Sequence, residues 1–474
     1  MLALTLWGFM RFMRFICLVV IKALLVSAVV SPFYSTAEAT QSCEQVPAGF
    51  APVFKQAYAD KVHGFWLGLS IGNWTGLVTE MDKIGGGGSA GVFYTRDDWQ
   101  TKDQPSIWGQ GIPSQLSDTI DWVVADEDEV WGSDDDSDIE YIYLHLMHDS
   151  KQPLLSAEQI RLGWLKHIYS DADTPFKTAE GKPENFLWVS NQQAFDLMQQ
   201  NILPPETGIP AYNPHYDMID AQLTTEMFGI LAPHRPDIAS RLAYLPIRTT
   251  AYGEAADIAN FYVEMYALAA RVDVSKPVQP QIIDIARQAR GNLPPNQYPA
   301  KMFDFVLSLY QSGMRWEEAR DKLYQHYQLD EADGYEISRK QLYCNGCFAA
   351  GINFAASLVS LFYGAGDMQE TLKIAVLAGW DSDNPAATWG GLYGFILGKS
   401  GVEQAFGKTF SSKFNIHRTR KGFVNNGIDS FDNMAQMTTA IVDQVVSQQM
   451  MVTTAPDAAC WLIPAWVKPE PSPM

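Results

Sequence analysis

The sequence predicts an all-α protein built as a single large domain. Three observations predict it. Apolar residues recur at helical spacing along most of the chain, alternating strand patterns are short and scattered, and no linker divides the chain beyond its N-terminal segment. The 474 residues, 47% hydrophobic and 19% charged, suffice for a sizeable core and argue against disorder. A formal net charge of -20 repels a polyanion at long range, which disfavours nucleic acid as a partner. No repeat with a period of about 20–50 residues is visible, which argues against a solenoid.

Residues 1–39 read as an export signal. Arg11 and Arg14 form a basic start, "ICLVVIKALLVSAVV" is an apolar stretch interrupted by Lys22, and Ala37 and Ala39 suit a cleavage site. The uninterrupted apolar part falls short of the roughly 20 residues a membrane span needs. The expected product is exported, periplasmic or secreted, with no membrane association after signal removal. Outside the signal stand Cys43, Cys344, Cys347 and Cys460, an even number that permits disulfides in an oxidising compartment. Cys344 and Cys347 can close on each other, leaving Cys43 and Cys460 to tie the chain ends together. A zinc or redox role for "CNGC" lacks a second C-x-x-C or a nearby pair of histidines.

Residues 40–60 form a lead-in, residues 61–449 the helical domain and residues 450–474 a C-terminal tail. Within the domain, "GFWLGLSIGNWTGLVTE" opens with glycines four apart. "KIGGGGSAG" is a loop, either simply flexible or one that lets backbone amides approach a diphosphate. In "GSDDDSDIEYIYLHLM", Ile139, Ile142, Tyr143, Leu146 and Met147 make one helical face. Ser156 and Gln159 form a capping box for the following helix. The proline-rich stretch 201–217 cannot be an uninterrupted helix. "PDIASRLAYL", "ADIANFYVEMYALAARV" and "INFAASLVSLFYG" continue the helical pattern, and Met434, Met437, Ile441 and Val445 give a last stripe. The basic run His417, Arg418, Arg420 and Lys421 reads as a solvated surface patch.

Two acidic clusters carry the chemistry. Asp134, Asp135 and Asp136 precede a helix whose dipole favours one negative cap, worth about 0.3–1 kcal/mol, but not three. Asp381 and Asp383 lie in "GWDSDNPAATWGGLYGFILG", between two helical stretches, with Pro385 suited to a first turn and Gly390, Gly394 and Gly398 four apart. If the clusters meet, a divalent cation neutralises them, and all-oxygen donors select a hard ion such as Mg²⁺, Mn²⁺ or Ca²⁺. An EF-hand fits Asp134, Asp136 and Asp138 but fails at Ile139 and His145, where glycine and glutamate are required.

From roughly Lys61 to Ile441 these stretches, in order, resemble the ADP-ribosylglycohydrolase family. The glycine-spaced opening ending in Glu80 resembles its first helix, and "SDDDSDIEYIYLHLM" its first metal motif. "NILPPETG" with "NPHYDMIDAQ" resembles P-P-x-[ST]-G…N-P…I-G-A-Q of one bacterial branch, and "AGWDSDN" the D-x-D-[TS] motif. The resemblance implies a single large orthogonal helical domain that hydrolyses a glycosidic bond to ADP-ribose with two divalent cations, Mg²⁺ first and Mn²⁺ second. It implies metal ligands Asp134, Asp135, Asp136, Asp381, Asp383 and Asn384, catalytic roles for Asp135 and Glu80, and Asp383 as a bridge between the ions. The implied partner is a small-molecule or protein-linked ADP-ribosyl substrate, and the expected state a monomer. Asn73 stands where the family has aspartate, Asn384 where it has Thr or Ser, and "RTTAYGEAAD" lacks the family's histidine. Another N- or O-glycoside such as a nucleoside, or ligand binding without turnover, are the alternative functions.

Overall fold

The structure is a computed structural model that describes residues 43, 45–109, 116–336, 344–455 and 458–466. The expected signal, residues 1–39, lies outside them. No helix among the described residues is long and apolar enough to cross a membrane. Among the described residues, fifteen α-helices and two small two-stranded sheets make up the fold, in agreement with the all-α expectation.

Two helices form the centre. The opening helix, Lys55–Gly76, starts within the expected lead-in and is buried on nearly every side along its second half. It packs along the helix Asp383–Phe406, which is equally enclosed. Helices that are apolar all round belong inside a protein. Their contact is backbone on backbone. A Cβ on Gly64 would stand 2.2 Å from the Gly394 carbonyl oxygen, one on Gly68 2.1 Å from that of Gly390, and one on Gly72 1.9 Å from that of Ala386. At the end of the seam, a Cβ on Gly76 would stand 2.3 Å from the Asp383 Cα. The glycine spacing seen in the sequence thus sets the depth at which Asp383 sits beside the end of the opening helix. Gly398, read as part of the same spacing, has φ +73° and breaks the regular helix instead.

The acidic helix, Asp135–Ser150, is capped by Asp134, whose carboxylate accepts from the Asp136 amide at 3.1 Å. The Ser156–Gln159 capping box starts the next helix, Ala157–His167. Residues 201–217 hold only a short 3₁₀ turn, Glu206–Gly208. Phe50–Phe54 pairs antiparallel with Cys460–Pro464, so the stretch beyond residue 455 supplies a strand. Trp461 and Ile463 on it are buried, and Cys43 is bonded to Cys460 beside it. Cys344 is bonded to Cys347.

Candidate active site

The stretch that follows the opening helix turns sharply to present Glu80. Met81 adopts φ +58° and Trp380 φ +61°, conformations that branched or bulky residues resist. Both are held by backbone bonds between the two segments. The Met81 amide donates to the Trp380 carbonyl at 3.0 Å, and the Trp380 amide donates to that of Lys83 at 2.6 Å. This pairing places Glu80 against Asp381. Ser382 completes the join by donating from Oγ to the Gly76 carbonyl at 3.0 Å.

Carboxylate oxygens of Glu80, Asp381 and Asp383 lie within 4.8 Å of one another, and those of Asp134, Asp135 and Asp136 form a second such group. The groups meet. The Asp383 carboxyl hydrogen-bonds both Asp136 and Asp381. Asn384 joins the same contact, donating from Nδ2 to Asp136 Oδ1 at 3.2 Å while its own Oδ1 accepts from Gln222 Nε2 at 3.2 Å. Through these bonds Asn384 links Gln222 to Asp136. Asn73 donates to both oxygens of Asp134, at 3.0 and 2.9 Å. An aspartate there would add a like charge beside Asp134; the amide supplies a donor.

Burial and mutual repulsion raise the whole set. Burial first, then Asp383 and Asp381, push Glu80 well above the usual carboxylate range. Asp135, Asp136 and Asp381 are raised well above it in the same way, and Asp134 reaches about 8. The donor set fits a hard divalent cation: six carboxyls gathered in a site, one of whose oxygens, Asp383 Oδ1, is buried without a hydrogen-bond partner. In the cation-free protein these raised groups favour folding while protonated. Stability is therefore fully present below an ordinary aspartate value of 3.8 and falls as pH rises through about 8. Thermal melting of the metal-stripped protein is expected to show Tm falling across that window. Excess Mg²⁺ is expected to restore most of the loss at the upper end.

The rest of the acidic run has separate duties. Asp138 pairs with Arg420 at 2.8 Å, both fully buried. Glu140 accepts from the Met227 amide at 2.7 Å. Within the basic run, Arg420 is therefore not solvated, whereas Arg418 stays exposed. Arg420 donates to the carbonyls of Asn185 at 2.7 Å and Phe186 at 2.9 Å, and His417 stacks on the Phe186 ring at 4.1 Å. The reason is that the irregular segment around residue 185 has carbonyls to satisfy, and a guanidinium fork supplies the donors.

Above the carboxyls lies a cleft of about 450 Å³. Phe186, fastened by Arg420, and Trp188 line it, as do Trp108 and Phe348, whose rings stack at 6.0 Å. The Ile219 amide donates to the Phe348 carbonyl at 3.0 Å, bringing Phe348 and Asp220 to the same cavity. Asp220 accepts from the Asn191 amide at 2.8 Å, and burial raises it to about 6. These aromatic residues and Asp220 were not among the sequence candidates. Asp220 left a trace, since "MIDAQ" has it where the resembling motif has glycine; the aromatic residues left none. Gly85 to Gly88 do not line the cleft, and the Gly86 amide donates to the Tyr324 hydroxyl at 2.7 Å.

Residues 55–421 match the family described as ADP-ribosylglycohydrolase. Among solved structures, the chain is similar to one titled "ADP-ribosylglycohydrolase-related protein complex". That match has 15% identity and a TM-score of 0.45, and covers 82% of this chain and 99% of that one. No curated protein matches. With a match over most of its length and buried carboxyls at the bottom of its cleft, this chain belongs to the ADP-ribosylglycohydrolase family and is a glycohydrolase.

Proposed function

We propose that the protein hydrolyses the bond at the ribose anomeric carbon of an ADP-ribosyl conjugate. The observation that supports this best is the meeting of Asp136 and Asp383 at the bottom of an aromatic-walled cleft. Glu80, Asp381 and Asp383 would hold one divalent cation and Asp134, Asp135 and Asp136 another, Mg²⁺ first and Mn²⁺ second. Bound cations would supply Lewis-acid binding of ribose hydroxyls and a more acidic water.

The chain's own residues do the remaining work. Asp135 or Glu80 accepts the proton of the attacking water as its oxygen bonds to the anomeric carbon and the leaving group departs. The remaining negative charge favours an oxocarbenium-like transition state. Asn73 and Asn384 orient the carboxyls they donate to. The stacked pair Trp108 and Phe348, together with Phe186 and Trp188, offers flat apolar surfaces for a base and excludes water. Export as a periplasmic or secreted protein, most simply as a monomer, fits the residue pattern before residue 40 and the two disulfides.

A substrate panel tests the reading. Mg²⁺-loaded protein is expected to release ADP-ribose from ADP-ribosyl-arginine or ADP-ribosyl-serine faster than it releases base from a nucleoside. Faster nucleoside cleavage would make it a hydrolase of another glycoside, and binding without any turnover would make it a binding protein. Trp188→Ala is expected to raise KM about tenfold for an adenine-bearing substrate and to leave kcat nearly unchanged. Equal KM values in the two proteins would remove Trp188 from base recognition.

A further inference from the structure

The segment 185–191 carries Phe186 and Trp188 to the cleft in a backbone shape that needs outside support. Phe186 adopts φ +52° and Val189 φ +39°, a conformation that a β-branched residue resists. Strain of this kind persists only where the surroundings fix it. Trp188 occupies the position before the helix Val189–Gln199, where Ser, Thr, Asp or Asn would accept from the first free amides. An indole has no acceptor oxygen, and no bond from the Trp188 side chain caps the helix. Trp188 is also 47% exposed, so packing alone does not fix it.

The missing acceptor comes from another segment. Asp220 is 3% exposed and opens the short helix Asp220–Leu223. Its Oδ1 accepts from the Asn191 amide at 2.8 Å. Burial raises its carboxyl to about 6, while the amides of Asn191 and Ser190 favour the charged form. Those are the third and second residues of the helix, whose amides a cap satisfies. Two residues after Asp220, Gln222 donates to Asn384, which donates to Asp136. One four-residue helix thus ties the aromatic wall of the cleft to its carboxyls.

We propose that Asp220 is a positioning residue that caps the helix Val189–Gln199 from outside and so sets where Trp188 stands in the cleft. The cap position goes to an aromatic ring that serves the cleft, and position 220 supplies the cap. Arg420 takes the carbonyls of Asn185 and Phe186 on the other flank, so a guanidinium and a carboxylate clamp the segment from both ends. The consequence for affinity rests on the reading of Trp188 as a surface for a base.

Three measurements on the Mg²⁺-loaded full-length protein test the proposal. Asp220→Ala is expected to speed deuterium exchange of the 187–192 amides at least about fivefold, with exchange in the helix Asp383–Phe406 unchanged. Asp220→Gly, which removes the same acceptor, is expected to do the same. Asp220→Ala is also expected to weaken ADP-ribose binding in calorimetry, and to raise KM, by about fivefold, with kcat nearly unchanged. Asp220→Asn keeps an acceptor oxygen and is expected to stay within about twofold of the parent throughout. With Trp188→Ala already present, Asp220→Ala is expected to add no further loss of affinity. Unchanged exchange at 187–192 in Asp220→Ala or Asp220→Gly overturns the cap. An equal loss in Asp220→Asn, or a full loss added to that of Trp188→Ala, overturns action through Trp188. Faster exchange in a parent that binds no ADP-ribose keeps the cap and overturns only the adenine-bearing substrate.

Discussion

Replacing Asp383 with alanine is expected to lower kcat by at least about 10²–10³-fold and to abolish high-affinity Mg²⁺ binding. This carboxyl alone hydrogen-bonds a member of each acidic group, Asp136 in one and Asp381 in the other. Its loss therefore separates the two halves of the proposed centre, a larger change than losing a terminal ligand. A second effect runs in the opposite direction. Asp383 is the neighbouring charge that contributes most to raising Glu80, Asp134 and Asp136, after burial itself. Without a cation, removing it relieves repulsion, so the metal-stripped variant should melt at a higher temperature than the metal-stripped parent at pH 8. Calorimetry with Mg²⁺, steady-state rates and paired melting curves read all three quantities. Retention of both cation binding and turnover would show that the centre lies elsewhere.

Gly72→Val carries the largest expected cost in stability, about 4 kcal/mol or more, measured by urea denaturation. The added Cβ would meet the Ala386 carbonyl oxygen at 1.9 Å and the carbon of the same carbonyl at 2.5 Å. Those are backbone atoms inside a helix, so no side chain can rotate away, and the two central helices must separate. Separation also moves Asp383 away from Glu80, so whatever folds should bind Mg²⁺ weakly. Gly87→Val is the control. A Cβ there meets nothing within 4 Å, and the position lies outside the cleft, so stability and turnover should change little.

Much of the helical architecture was legible because it rests on local rules. The stripe from Ile139 to Met147, the Ser156–Gln159 cap and the absence of helix across 201–217 each follow from neighbours within a few residues. The glycine spacing at 64, 68, 72 and 76 and at 390 and 394 was plain in the sequence, and the structure shows that it lets these two helices pack backbone on backbone. The acidic clusters marked a candidate site for a hard cation by composition alone.

Other features depend on partners far away in sequence. Asn384 bonds Gln222 through its oxygen and Asp136 through its nitrogen, partners that only the packing of Asp220–Leu223 against the central helix supplies. Arg420 looked solvated until Asp138 and the carbonyls of Asn185 and Phe186 were brought around it. The aromatic cleft draws Trp108, Trp188 and Phe348 from three irregular segments with no shared periodicity. The sequence by itself determined the all-α class, the glycine-spaced faces and the presence of excess carboxyls. Only the tertiary structure decided which carboxyls face one another, which amide holds them and what walls the cleft. Helix period and glycine spacing act within one element, whereas carboxyl neighbours, donors and stacking partners are fixed when distant elements pack.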